Sequence, residues 1–133
     1  MSLQSTEQEC AAVAVAPRVS LASLEAKITA RHDFTAGAAL VALNHPAIDA
    51  LDLLSICILV LQNGFTIIGK SAPASAANFN AELGRKLAYE DAIRQVWPLE
   101  GYLLRERLHH EAPNVFDLLA AQDHAADGVA GEG

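Results

Sequence analysis

The side chains best suited to holding a small anion are gathered in one stretch of the sequence. Between Lys70 and Arg107 the cations are Lys70, Arg85, Lys86, Arg94, Arg105 and Arg107, set against five carboxylates, whereas the rest of the chain has three cations and eleven carboxylates. Guanidinium and ammonium groups donate charge-assisted hydrogen bonds to phosphate oxygens. An acidic protein with such a stretch can hold a small anion locally while repelling long polyanions. Asn78 and Phe79 stand where a helical pattern begins, and helix N-terminal amides favour negative charge. Asn78 reads as an N-cap, or else as an amide for a polar edge. Phe79, and Phe65 directly after Asn63-Gly64, read as core, or else as ring faces for a base. Glu82, Lys86, Glu90 and Arg94 follow at four-residue steps with each Glu N-terminal to its cation, the favourable order for helical ion pairs. The simplest reading is a solvated ladder; the alternative places Lys86 or Arg94 in a subunit interface or an anion pocket.

Catalytic chemistry has little to stand on. The sequence has no Gly-x-Ser-x-Gly elbow and no phosphate-binding Gly-x-x-x-x-Gly-Lys-Ser/Thr loop. His32, His45, His109, His110 and His124 include no pair at helical metal spacing. His109-His110 fits a polar helix end that favours cations. Cys57 lies in an apolar run and reads as a small hydrophobe, while Cys10 has no partner to activate it. Neither a disulfide framework nor a zinc site follows from two such cysteines. No metal and no cofactor is therefore expected.

These residues need elements to position them. Val19–Arg31 places Leu21, Leu24 and Ile28 at helical spacing, with Ser20 or Ser23 as N-cap. Phe34–Asp52 is alanine-rich, broken by Gly37 and Asn44-His45-Pro46, and reads as loop, short helix or both. Leu53–Leu61 and Phe65–Lys70 are apolar runs flanking Gln62-Asn63-Gly64, a hairpin signal in which both central residues tolerate positive φ. The first run is apolar at nearly every position, so both its faces must be covered, by helices or by another subunit. Ser71–Ala77 is a loop containing Pro73. A helix capped by Asn78 then runs to about Trp97, presenting Phe79, Leu83, Leu87, Tyr89, Ile93, Val96 and Trp97 on its apolar side. Pro98 breaks or kinks it, and a last helix reaches His109. The fold class is α+β: a small antiparallel hairpin or sheet packed with an N-terminal helix and a long, kinked C-terminal helix pair. Residues 1–17 read as a loose lead-in, 18–112 as the single domain, and 113–133 as mostly tail with a short helical turn near Asn114–Ala121.

Composition sets the outer limits. The chain has 133 residues, room for one domain, and 52% apolar residues, enough for a modest core. A net charge of −7 argues against coating of long nucleic acid. There is no 18-residue apolar run and no secretory pattern at the N-terminus, so a cytoplasmic location away from membranes is expected.

Several motifs together resemble a known family. Asn63-Gly64-Phe65-Thr66, Gly69-x-Ser71-Ala72, Asn78-Phe79-x-x-Glu82-Leu83-Gly84-Arg85-Lys86 and Trp97-Pro98-Leu99-Glu100-Gly101-Tyr102-Leu103-Leu104 are similar in order and spacing to the phage gene-product-49/66 family. Arg31-His32-Asp33-Phe34-Thr35-Ala36 resembles its upstream part. The pattern departs at Lys70 and Pro73, where the family has an acidic residue and a cysteine, so a ligand held by this loop would be selected differently. The family is in turn similar to type 1 Thoeris anti-defence proteins, which sequester cyclic ADP-ribose-type messengers, and in some cases cyclic oligonucleotides, without cleaving them. The resemblance implies a non-enzymatic homo-oligomer in the host cytoplasm, such as a hexamer built from dimers, with ligand pockets between protomers. The residues with suitable chemistry are Arg85, Lys86, Arg94 and Arg105 for phosphate, Asn78 for a polar edge, and Phe65 or Phe79 for a base. The rival expectation is an effector that binds protein through the hairpin and the helix ladder, with no small ligand. An enzyme degrading the messenger is the third and weakest.

Overall fold

A computed structural model describes residues 2–13 and 16–111. The expected helical turn and tail beyond residue 112 lie outside the described residues. The chain falls into two compact units, Met1–Gly101 and Tyr102–Gly133. The elements run α1 (Leu3–Val13), α2 (Leu21–Ala26), β1 (Ile28–Thr35), α3 (Ala36–Ala42), α4 (Asp49–Asp52), β2 (Ser55–Leu61), β3 (Thr66–Ser71), a 3₁₀ turn (Ala76–Asn78) and α5 (Ala81–Glu111). The α+β class holds, with an antiparallel sheet of three strands in the order β1-β2-β3.

The hairpin forms where Asn-Gly placed it, by a different turn. Only Gly64 takes positive φ (87°); Asn63 does not. The Leu61 carbonyl accepts from the Gly64 amide at 2.8 Å, and the Leu61 amide donates to Phe65 at 2.9 Å. This is a tight turn closed by a left-handed glycine, and it fits the twist of the flanking strands.

The third strand corrects the sequence reading. Helix was expected through Arg31, but α2 stops at Ala26 with Lys27 as its C-cap, and β1 begins at Ile28. Alternation is hard to see in β1 because its covered-face positions include Arg31 and Asp33. Arg31 pairs with Asp33 at 2.9 Å and stacks 4.1 Å from the Tyr89 ring centroid, so a charged pair occupies places where apolar side chains mark a strand. The N-terminal residues differ as well: 3–13 form α1. Ser2 Oγ accepts from the Ser5 amide, and Glu7 accepts from the Leu21 amide at 3.0 Å and pairs with Arg18. The phrase Phe34–Asp52 contains two short helices, and Thr35 Oγ1 caps the first through the Ala38 amide at 3.2 Å.

One face of the sheet carries the core. Strand β2 alternates strictly, with Ser55, Cys57, Leu59 and Leu61 buried and Ile56, Ile58 and Val60 half-buried. Leu59, Ile93, Val96 and Leu24 are fully buried, each worth about 1.5–3 kcal/mol. Tyr89 and Trp97 pack against this cluster. Helix α5 approaches through small residues: a Cβ on Gly69 would overlap the Ala88 carbonyl and press on Ala92. Its buried stripe is therefore Ala88, Ala92, Ile93 and Val96, while Leu83 and Leu87, expected on the apolar face, remain exposed. Pro98 does not divide the helix in two as expected. The missing amide costs the bond to Arg94, and α5 is assigned continuously through it. Burial pushes the Cys57 thiol up to about 11, with Asp33 adding to the effect. Tyr89 is raised too, first by burial and then by its hydrogen bond to Glu25 at 2.9 Å.

Candidate functional site

The head of α5 is built by two adjacent asparagines of different duty. Asn80, rather than Asn78, caps the helix: its Oδ1 accepts from the Leu83 amide at 3.0 Å. Asn78 ends the 3₁₀ turn, and its side chain is released from capping. Behind them, Gly84 lets α5 meet the end of β2, since a Cβ there would run into Ser55 Oγ.

The result is a cleft of about 90 Å³ between the ends of β2 and β3 and the first turns of α5. Its polar wall consists of Ser55, Ser71, Asn78 and Asn80; its apolar wall consists of Phe79, Leu83, Leu87 and Pro73. Two hydroxyls and two carboxamides give donors and acceptors in a neutral setting, beside one aromatic ring. That is well below the ~300–1,000 Å³ of small-molecule pockets, so the cleft of one chain seats part of a small ligand at most. No titratable side chain lines it. The Ser55 hydroxyl is at its floor, on a residue only 3% exposed.

The other predicted site residues are dispersed. Phe65 is at the turn end of the sheet, half exposed, away from the end where Ser55 and Ser71 meet the cleft. Arg85 and Arg94 are exposed on α5 and do not line the cleft. Lys86 lines a second cleft of about 290 Å³ with Glu25, Tyr89 and Glu90 of the helices and Leu3 of α1. Glu82, Lys86, Glu90 and Arg94 close no ion pair with one another, so the ladder is a solvated face with two members, Lys86 and Glu90, turned to the α1 side. Arg105 belongs to the second unit and is exposed there. In that unit Arg107–Glu111 and Glu106–His110 approach at 3.7 and 3.6 Å, surface pairs of little energetic weight.

Sequence reasoning brought Asn78 and Phe79 to this place and missed Ser55 and Asn80. Ser55 carried one signal, a single hydroxyl within an otherwise apolar strand. Asn80 carried another, standing directly before Ala-Glu-Leu, a better helix start than Phe79 offers.

The Phage protein (N4 Gp49/phage Sf6 gene 66) family matches residues 19–108, from the lead into α2 to the last turns of α5. The chain belongs to this family. The match reaches further upstream than the motifs alone, and takes in β1 and the short helices α3 and α4. It contains every residue of the head-of-helix cleft. No curated protein and no solved structure matches the chain. Among the described residues no helix is long and apolar enough to cross a membrane.

Proposed function

We propose that this phage-family protein is an anti-defence protein of the host cytoplasm, which captures a cyclic nucleotide messenger in the cleft at the head of α5 and does not cleave it. The observation that carries the reading is the pairing of Asn78, free of capping duty, with Phe79 over Ser55 and Ser71. A carboxamide and two hydroxyls suit a nucleobase edge or a ribose, and the ring gives it a face. A cleft lined without an acid, base or thiol suits holding rather than cutting. Phosphate oxygens require cations that this cleft lacks within one chain. We assign that part to Arg85, Lys86, Arg94 or Arg105 of an adjoining protomer, which also closes the open side and slows release.

The test is thermal unfolding with cyclic ADP-ribose isomers and cyclic di- and trinucleotides, followed by recovery of the ligand. A ligand that binds only the folded chain stabilises by RT ln(1 + [L]/Kd), about 2.7 kcal/mol at a hundredfold excess. One messenger should raise the midpoint by several degrees and return intact on heating. Asn78→Ala and Phe79→Ala should each remove most of that rise while leaving the unliganded midpoint in place. A flat panel on folded protein overturns capture and favours the protein-binding effector.

A further inference from the structure

Three charged side chains share the second cleft without pairing. Glu25 comes from α2, and Lys86 and Glu90 from α5, around Leu3, Leu21 and Tyr89. Lys86 and Glu90 stand four residues apart, but the cation is N-terminal to the carboxylate, the weaker order for a helical pair. Among the described residues none of the three closes an ion pair. The Tyr89 hydroxyl donates to Glu25 Oε2 at 2.9 Å, which fixes that carboxylate and leaves its second oxygen able to accept. The volume of about 290 Å³ lies at the foot of the ~300–1,000 Å³ range of small-molecule pockets, and one chain forms it unaided. Its α1 wall stands outside residues 19–108, so the family match does not account for it.

We propose that this cleft binds a free basic amino acid, its two ammonium groups held by Glu25 and Glu90 and its carboxylate by Lys86. The charges are mirror images: the cleft offers two carboxylates and one ammonium, and lysine or ornithine offers the reverse. A simple anion would meet two carboxylates there, and a diamine would leave Lys86 unmatched and repelling it. Leu3 and Leu21 give apolar cover to the aliphatic stem of such a ligand. Charge-assisted hydrogen bonds at both ends of the stem select against neutral amino acids.

Binding also ties α1 to α5. Helix α1 buries no residue of its own and is held through Glu7 to Arg18 and the Leu21 amide. A ligand touching Leu3 on one side and Lys86 and Glu90 on the other adds a second fastening. The inference goes beyond messenger capture and does not depend on it, since the two clefts have no lining residue in common.

Titration calorimetry of the full chain with L-lysine, cadaverine and L-norleucine tests it. L-Lysine should bind at a single site per chain. Cadaverine, without the carboxylate, and L-norleucine, without the side-chain ammonium, should each bind at least about tenfold more weakly. Glu90→Gln should weaken L-lysine by a similar factor with an unchanged thermal midpoint. Glu82→Gln, the same change of charge at an exposed position of α5 off the cleft, should bind as the wild type does. Bound L-lysine should also slow hydrogen exchange in α1. Should Glu90→Gln fail to fold, Glu25→Gln, which keeps an acceptor for Tyr89, decides instead. No binding of L-lysine at about 10 mM overturns the inference. Cadaverine binding as tightly as L-lysine overturns it too, as does undiminished binding by the folded variant.

Discussion

The two faces of the same three strands are finished in opposite ways. On one face every contact is tight and specific: Gly69 lies under Ala88 and Ala92, Gly84 lies against Ser55, and Arg31 stacks on Tyr89. On the other, Ile56, Ile58, Val60 and Ile68 present smooth β-branched surface and no residue is buried. Strand β2 supplies both from a sequence that is apolar almost throughout. Composition alone therefore does not tell which side of a strand is finished within the chain. Among the described residues that difference comes from the partners, small residues and charged anchors that bury one side while the other stays at most half-buried.

The comparison breaks most readily at Gly69. Gly69→Val should push α5 off the sheet and cost about 4 kcal/mol or more, enough to abolish cooperative thermal unfolding in a marginal domain. If Gly69→Val melts like the wild type, the close approach is not what holds the covered face. Thiol chemistry sharpens the contrast next. In a Cys10→Ser background at low concentration, Cys57 should react with a disulfide reagent at pH 8 at least about a hundredfold more slowly than a cysteine introduced by Ile68→Cys. Burial closes the first and also holds its pKa near 11, so thiolate is scarce until the pH approaches that value. Comparable rates would mean that the covered face opens readily.

Smaller effects mark the edges of the two faces. Asp91→Ala removes the partner of the Lys70 amide and should cost about 1 kcal/mol by denaturant unfolding, with increased association through the bared β3 edge. Ile68→Thr, by contrast, should change monomer stability by less than about 0.5 kcal/mol. The smallest effect belongs to the α1 anchor. The Arg18 hydrogen bond, aided by the Leu21 amide, holds the Glu7 carboxyl below its ordinary value. Its stabilisation is then fully present above the ordinary carboxylate pKa and lost as pH falls through the depressed one. Carboxyl titration by NMR should find Glu7 moved back toward the ordinary value in Arg18→Ala.

Much of the architecture was legible because it rests on local rules. Asn-Gly between apolar runs gave the hairpin, and the dense pattern after Asn78 gave the long helix. Strand β1 was hidden because Arg31 and Asp33 take covered positions where an amphipathic strand would show apolar side chains, and only the Tyr89 ring from a distant helix explains them. The alanine stripe of α5 was overlooked in favour of its leucines, since a close approach to Gly69 is a tertiary fact without a local signature. At the site, Asn78 and Phe79 were found by their position near a helix start. Ser55 and Asn80 needed the fold, because one reaches the cleft from the end of a strand and the other by two residues' displacement of the cap. Dispersed cations on a helix surface could not be sorted by spacing alone: Lys86 turns to the α1 cleft while Arg85 and Arg94 do not.

Trp97 is the only tryptophan in the chain, and it packs against the covered face alongside Tyr89. Its indole therefore serves as a built-in optical gauge. Excited selectively, it should shift its emission to the red when α5 separates from the sheet, while events confined to the opposite face leave the spectrum almost still. Loss of the core can thus be followed by itself, without attaching a dye.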